Sequence, residues 1–214
     1  MKVTMKKDLL LKKLYLEGKD FVTSEELKGY CRSLNLNYNS MSTYLLSRKY
    51  LARIFRGIFY VRSLEEVKLG KERYSHLELV SKALEIKGVK NWHFGLYTAL
   101  KMNNMTHEHF AVDYVVSDMV FRARPMEIAG HKFRFLKFRP GLLAFGIVTK
   151  GIRYSDPEKT MLDFIYMWRY SGIPEEKIIA DLSDYSVNLS REKILRYARN
   201  YPKSVRAIAK KVAA

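Results

Sequence analysis

The sequence predicts a two-part α+β protein, on three observations. The first sixty residues read helix, helix, helix and then two β-prone runs around a glycine. The remainder mixes strand and helix signals and ends in helices. Across 214 residues, 48% hydrophobic and 13% aromatic content excludes disorder as the main state. One cysteine, Cys31, rules out an intramolecular disulfide framework, so an apolar core has to hold the fold.

Met5–Leu16 carries Leu9, Leu10, Leu14 and Tyr15 at helical spacing, with Lys6, Lys7, Lys12 and Lys13 on the polar side. Gly18 stops that helix. Thr23-Ser24-Glu25-Glu26 offers a capping box that starts a second helix through Leu27, Tyr30 and Cys31 to about Leu34. Asn35-Leu36-Asn37 is a turn, because Asn tolerates left-handed backbone angles. A third helix follows from Asn39 to about Arg48, burying Met41 and Leu45. Then 50–55 and 58–62 flank Arg56-Gly57 as a hairpin.

Three helices and a hairpin in that order make a winged helix-turn-helix. In such a module the third helix enters the DNA major groove and its first turns meet base edges. Here those residues are Tyr38, Asn39, Ser40, Ser42 and Thr43, all able to give or take hydrogen bonds. Arg48 and Lys49 at its far end meet phosphate, and Arg53 and Arg56 sit on the wing. The plainer reading is that Asn37–Asn39 only cap and turn.

Residues 63–74 read as a charged connecting helix or linker. An apolar helix spans His76–Lys87 and a short one Leu96–Leu100. Strand signals follow at Ala111–Val116, Met126–Ile128, Lys132–Phe138 and Leu143–Thr149. In Lys132–Arg139 aromatics mostly alternate with cations, which fits a half-buried strand with a cationic outer face or a base-stacking platform; the first is the commoner arrangement. Asp156-Pro157-Glu158 opens a helix with a cap, a first-turn proline and a dipole-matched acid. Its apolar face is Met161, Leu162, Phe164, Ile165 and Trp168, and helices at Glu175–Leu182, Ser190–Arg199 and Pro202–Val212 close the chain. The expected organisation is a winged helix-turn-helix at 1–62, a connection at 63–74 and a mixed α/β domain at 75–214.

The net charge of +17 is uneven. Residues 1–62 carry +8, 122–153 carry +7 and 186–214 carry +7, with neutral or acidic stretches between them. Discrete positive faces call for a polyanion, nucleic acid or an anionic membrane surface, and not for uniform solubilising charge. In the middle block the basic face comprises Arg122, Arg124, Lys132, Arg134, Lys137 and Arg139. The longest apolar runs are short, as at 142–148, and no long apolar leader with a cleavage site opens the chain. A cytoplasmic protein without a membrane partner is the expectation.

Signs of catalysis are few. Asp113, Asp118, Asp156, Glu158 and Asp163 are the candidate carboxylates for two-metal chemistry. Asp156 is better explained as a cap, and Asp163 stands one turn from Lys159 at ion-pair spacing. His107 and His109 would align on a strand, but zinc needs further ligands and Cys31 is remote; His93 stands alone. No phosphate-binding glycine loop or nucleophile elbow is present. No cofactor, metal or catalytic residue is expected, and a nucleic-acid-processing or nucleotidyl-transfer enzyme is the alternative.

The run Tyr50–Val61 resembles the N-terminal module of the AbiEi antitoxins, regulators of phage-defence toxin–antitoxin loci. Trp92–Leu100, Phe145–Val148 and Ser155–Asp163 are similar in order and spacing to that family's C-terminal domain. The resemblance implies a transcriptional repressor that recognises inverted repeats in double-stranded DNA at its own promoter. It implies also that the C-terminal domain aids DNA binding and counteracts a nucleotidyltransferase-like toxin without a stable complex. A toxin-binding protein that uses its winged helix for protein contacts is a further alternative.

Overall fold

The structure is a computed structural model that describes residues 2–185 and 189–212. By contacts the chain divides into two units, Met1–Gly88 with Ile128–Gly130, and Val89–Glu127 with His131–Ala214. Among the described residues there are ten α-helices, a three-stranded antiparallel sheet and a six-stranded mixed sheet. None of the described helices is long and apolar enough to cross a membrane.

The first unit runs α1 (Lys2–Leu16), β1 (Phe21–Thr23), α2 (Ser24–Ser33), α3 (Tyr38–Ser47), β2 (Leu51–Phe55), β3 (Ile58–Val61), α4 (Leu64–Leu69) and α5 (His76–Ile86). Local chemistry sets most of these boundaries. The Glu26 amide donates to Thr23 Oγ1 at 3.2 Å, and the Thr23 amide donates to Glu26 Oε2 at 2.8 Å, which closes the expected box. Asn35 takes the left-handed turn with φ +51°. The hairpin turns at Gly57, whose φ of +83° disfavours a side chain. β3 is the central strand, between β2 and β1.

Leu10, Leu14, Leu27, Cys31, Met41, Leu45 and Phe59 are all buried in one cluster. Leu9 is not part of it: it remains 42% exposed, on the outer side of α1. Every residue of β3 is buried, and α5 packs against both β2 and β3. The hairpin is therefore a core layer in which only its turn and Arg53 reach outward.

The stretch read as a connection is tied into the first unit. Glu66 accepts from Tyr60 Oη at 2.5 Å, from the Ser63 amide at 2.7 Å and from the Arg73 amide at 2.6 Å. Arg62 pairs with Glu72, and Arg73 with Asp20. These bonds and the packing of α5 keep 63–74, expected as a connection, within the first unit, whose main segment runs by contacts to Gly88.

The second unit contains β4 (Trp92–Phe94), α6 (Leu96–Met102), β5 (Val112–Ser117), β6 (Met126–Ile128), β7 (His131–Lys137), β8 (Ile147–Lys150), β9 (Ile152–Ser155), α7 (Pro157–Tyr170), α8 (Glu175–Ser183), α9 (Arg191–Ala198) and α10 (Lys203–Val212). Ile128 of β6 groups with the first unit. The strand order is β6-β7-β5-β4-β9-β8, with β5 parallel to β7 and β4 parallel to β9. A hydrophobic cluster joins Leu96, Val116, Phe138, Phe164, Ile194 and Ile208, so α6, α7, α9 and α10 share a core with one face of the sheet.

Candidate nucleic-acid interface

α3 begins at Asn37, whose Oδ1 accepts from the Ser40 amide at 3.0 Å, an N-cap that frees the helix end of one unsatisfied donor. Met41 and Leu45 anchor its inner side. A helical advance of 100° per residue then puts Asn39, Ser40, Thr43 and Ser47 on one exposed face. Four short polar side chains without a carboxylate can meet either donors or acceptors.

Two of the expected base-reading residues have other work. Ser42 is buried, and its hydroxyl donates to the Asn39 carbonyl at 3.1 Å, so it faces inward. Tyr38 is half-buried, with its hydroxyl donating to Ser24 Oγ at 3.2 Å, which ties the start of α3 to α2. Ser47, one turn beyond Thr43 and outside the first turns, shares this exposed face by the same angular count.

Cations surround this face. Lys7 lies 4.7 Å from the Tyr44 ring centre and Lys28 5.7 Å from that of Tyr38, both on α3. Arg48 and Lys49 are exposed at its C-terminal end. Arg53 is exposed on β2 with its guanidinium 5.7 Å from the Phe59 ring centre, and Arg56 is exposed at the hairpin turn. Among the described residues no carboxylate stands within ion-pairing distance of Arg48, Lys49, Arg53 or Arg56.

In the second unit Arg122, Arg124, Lys132, Arg134, Lys137 and Arg139 are all exposed. They do not form a single face. Strand alternation puts Lys132 and Arg134 on one side of β7 and Lys137 on the other, with Phe133 and Phe135. Both phenylalanines are fully buried, so this strand is a half-buried sheet element and offers no stacking platform. A second cationic feature lies between α9 and α10: Arg199, Lys203, Arg206 and Lys210 line a cleft of about 480 Å³ floored by Leu195, Ala198 and Ala207.

Asp156, Glu158 and Asp163, weighed for catalysis, take structural partners. Asp156 caps α7 through the Lys159 amide at 2.9 Å and also accepts from Tyr197 Oη at 3.1 Å. Glu158 pairs with Lys193 at 2.7 Å. Lys159 and Asp163 both have zero exposure, and Lys159 Nζ donates to both carboxylate oxygens at 3.0 Å. Tyr201 donates to Asp163 Oδ1 at 2.6 Å, and His93 Nε2 lies 3.4 Å from Oδ2.

Charge states follow from this packing. Burial pushes the Asp163 carboxyl up, but the Lys159 ammonium together with His93 and Tyr201 outweighs it and holds Asp163 below its ordinary value. Burial lowers His93 more than Asp163 raises it, which favours the neutral imidazole; its Nε2 faces Asp163, and its Nδ1 has no hydrogen-bond partner among the described residues. Burial, then the Asp163 charge, raises Tyr201 well above the usual phenol range. Gly146 roofs the network: a Cβ there would lie 2.8 Å from Lys159 Cβ, and its φ is +64°. His107 and His109 are exposed and outside any strand, and Cys31 is buried.

No protein-family model matches the chain, and no curated protein does. The fold is similar to that of the Rv2827c protein from Mycobacterium tuberculosis, known from a crystal structure. The TM-score is 0.61 and the identity 13%, over 98% of this chain and 76% of that one. At that identity the likeness is one of fold.

Proposed function

We propose that the protein is a sequence-specific DNA-binding repressor whose first unit is a winged helix-turn-helix. α2, the Asn35 turn and α3 are the helix-turn-helix, and β2–β3 with β1 alongside is the wing sheet. The exposed face of α3 carries this reading: short polar side chains at Asn39, Ser40, Thr43 and Ser47, with Arg48, Lys49, Arg53 and Arg56 nearby and unpaired among the described residues. Such a face reads base edges, while Arg48, Lys49, Arg53 and Arg56 neutralise phosphates and release counterions. Repression is by occupancy of a promoter. The resemblance to the AbiEi antitoxins extends the proposal to an autoregulator acting at inverted repeats and opposing a nucleotidyltransferase-like toxin without a stable complex.

Gel shifts on the upstream promoter and on random duplex test this. Asn39→Ala or Thr43→Ala is expected to change sequence preference, by ~1–3 kcal/mol of discrimination at a contacted base. Arg53→Ala and Arg56→Ala are expected to weaken binding to both duplexes alike. Equal loss on both duplexes for all four variants would remove the base-reading role from α3.

A further inference from the structure

The loop from Asp118 to Pro125, between β5 and β6, exposes two large apolar side chains, Met119 at 63% and Phe121 at 53%. Its backbone is nonetheless firmly held. The Val120 amide donates to Ser117 Oγ at 2.9 Å, and that hydroxyl donates back to the Val120 carbonyl at 3.2 Å. Val120 itself is buried as a plug, at 7% exposure. Asn91 Nδ2 donates to Asp118 Oδ2 at 2.7 Å, and the Arg122 amide donates to the Phe135 carbonyl at 3.1 Å. Burying Val120 turns its two neighbours outward, so the exposure of Met119 and Phe121 is imposed by the loop's own bonds.

Arg122 and Arg124 flank this tip, exposed and without a carboxylate in ion-pairing range among the described residues. Arg122 is steadied by donating to the Phe121 carbonyl at 2.9 Å. A held tip of Met119 and Phe121 followed by two exposed arginines matches the chemistry by which proteins wedge an apolar side chain between base pairs while arginines take the phosphates or the minor groove. Pre-organisation matters here, because the bonded loop backbone has little freedom left to lose on contact.

We infer that this loop is a nucleic-acid wedge: Phe121, supported by Met119, enters a base step of duplex DNA, and Arg122 and Arg124 hold the adjoining backbone. Charge decides for DNA over an apolar protein partner: Arg122 and Arg124 are exposed, the loop's acid Asp118 is only partly exposed and bonded to Asn91, and the chain carries a net charge of +17. The assignment rests on the duplex-binding reading for its ligand class, but it concerns residues outside the first unit.

The test uses the full-length protein and an A·T-rich duplex with 2-aminopurine at its TA steps, the steps that unstack most easily. Wild-type binding should raise the fluorescence as the probe unstacks. Phe121→Ala should abolish the rise and weaken binding about tenfold, and Phe121→Trp should restore both. If wild type binds the duplex but Phe121→Ala matches it in affinity and fluorescence, the wedge is overturned and the DNA reading stands. If wild type ignores the duplex even in dilute salt, the DNA reading falls and the wedge with it. A response confined to the single-stranded probe, or self-association that depends on Phe121 without DNA, also overturns it.

Discussion

Lys159 carries its ammonium into a space with no exposure, where Asp163, Tyr201 and the ring of Phe145 surround it. Such a pair adds little net stability against an apolar replacement, but breaking it strands a charge. Lys159→Met or Asp163→Leu alone is expected to cost ~3–5 kcal/mol, and the double replacement clearly less than the sum, as read by urea unfolding. His93 adds a pH dependence. Its folded-state value lies below the ordinary 6.5, so the unfolded chain takes up a proton that the native one refuses. Stability should therefore fall as pH drops below 6.5, and fall further below the ordinary aspartate value of 3.8 as Asp163 is protonated. Thermal melts of wild type and His93→Phe across that range check this: the upper part of the decline should disappear in the variant. The spacing of Lys159 and Asp163 made their pairing legible in the sequence. Its burial was not, because Tyr201 joins from 38 positions away. Ser42 shows the same limit: it has the chemistry of Thr43, but one residue's rotation of 100° turns it into the core.

The helices are the elements that sequence chemistry places best, since their caps are local. Thr23, Asn37, Ser63, Ser75 and Asp156 each accept from a first-turn amide. Asn37→Ala should lower stability by ~1 kcal/mol and, by loosening the first turn of α3, weaken duplex binding as well. Thr23→Ala should match it in denaturant titration yet leave base preference unaltered. Short strands were the hardest to read. β1 and β4 are three residues long and β9 four, too few for an alternation to show, and each exists because a neighbouring strand pairs with it. The strand expected at Leu143–Thr149 begins only at Ile147. Pro140–Leu142 forms a 3₁₀ turn instead, and Gly146 takes a left-handed angle where Lys159 leaves room for no side chain.

For the whole molecule, the net charge of +17 would make the proposed association with duplex DNA salt-dependent. The logarithm of affinity should fall linearly with the logarithm of salt concentration, and replacing both Arg53 and Arg56 by Ala should flatten the slope by about 2. A slope unaffected by that pair would take the hairpin turn out of the interface. Cys31, the chain's single thiol, is sealed inside the first unit, and burial raises its pKa. Maleimide reagents should accordingly leave the native protein untouched, so one cysteine introduced at Asn39 or Met119 would accept a fluorophore cleanly. Each surface can then report its own occupancy without any background label to subtract.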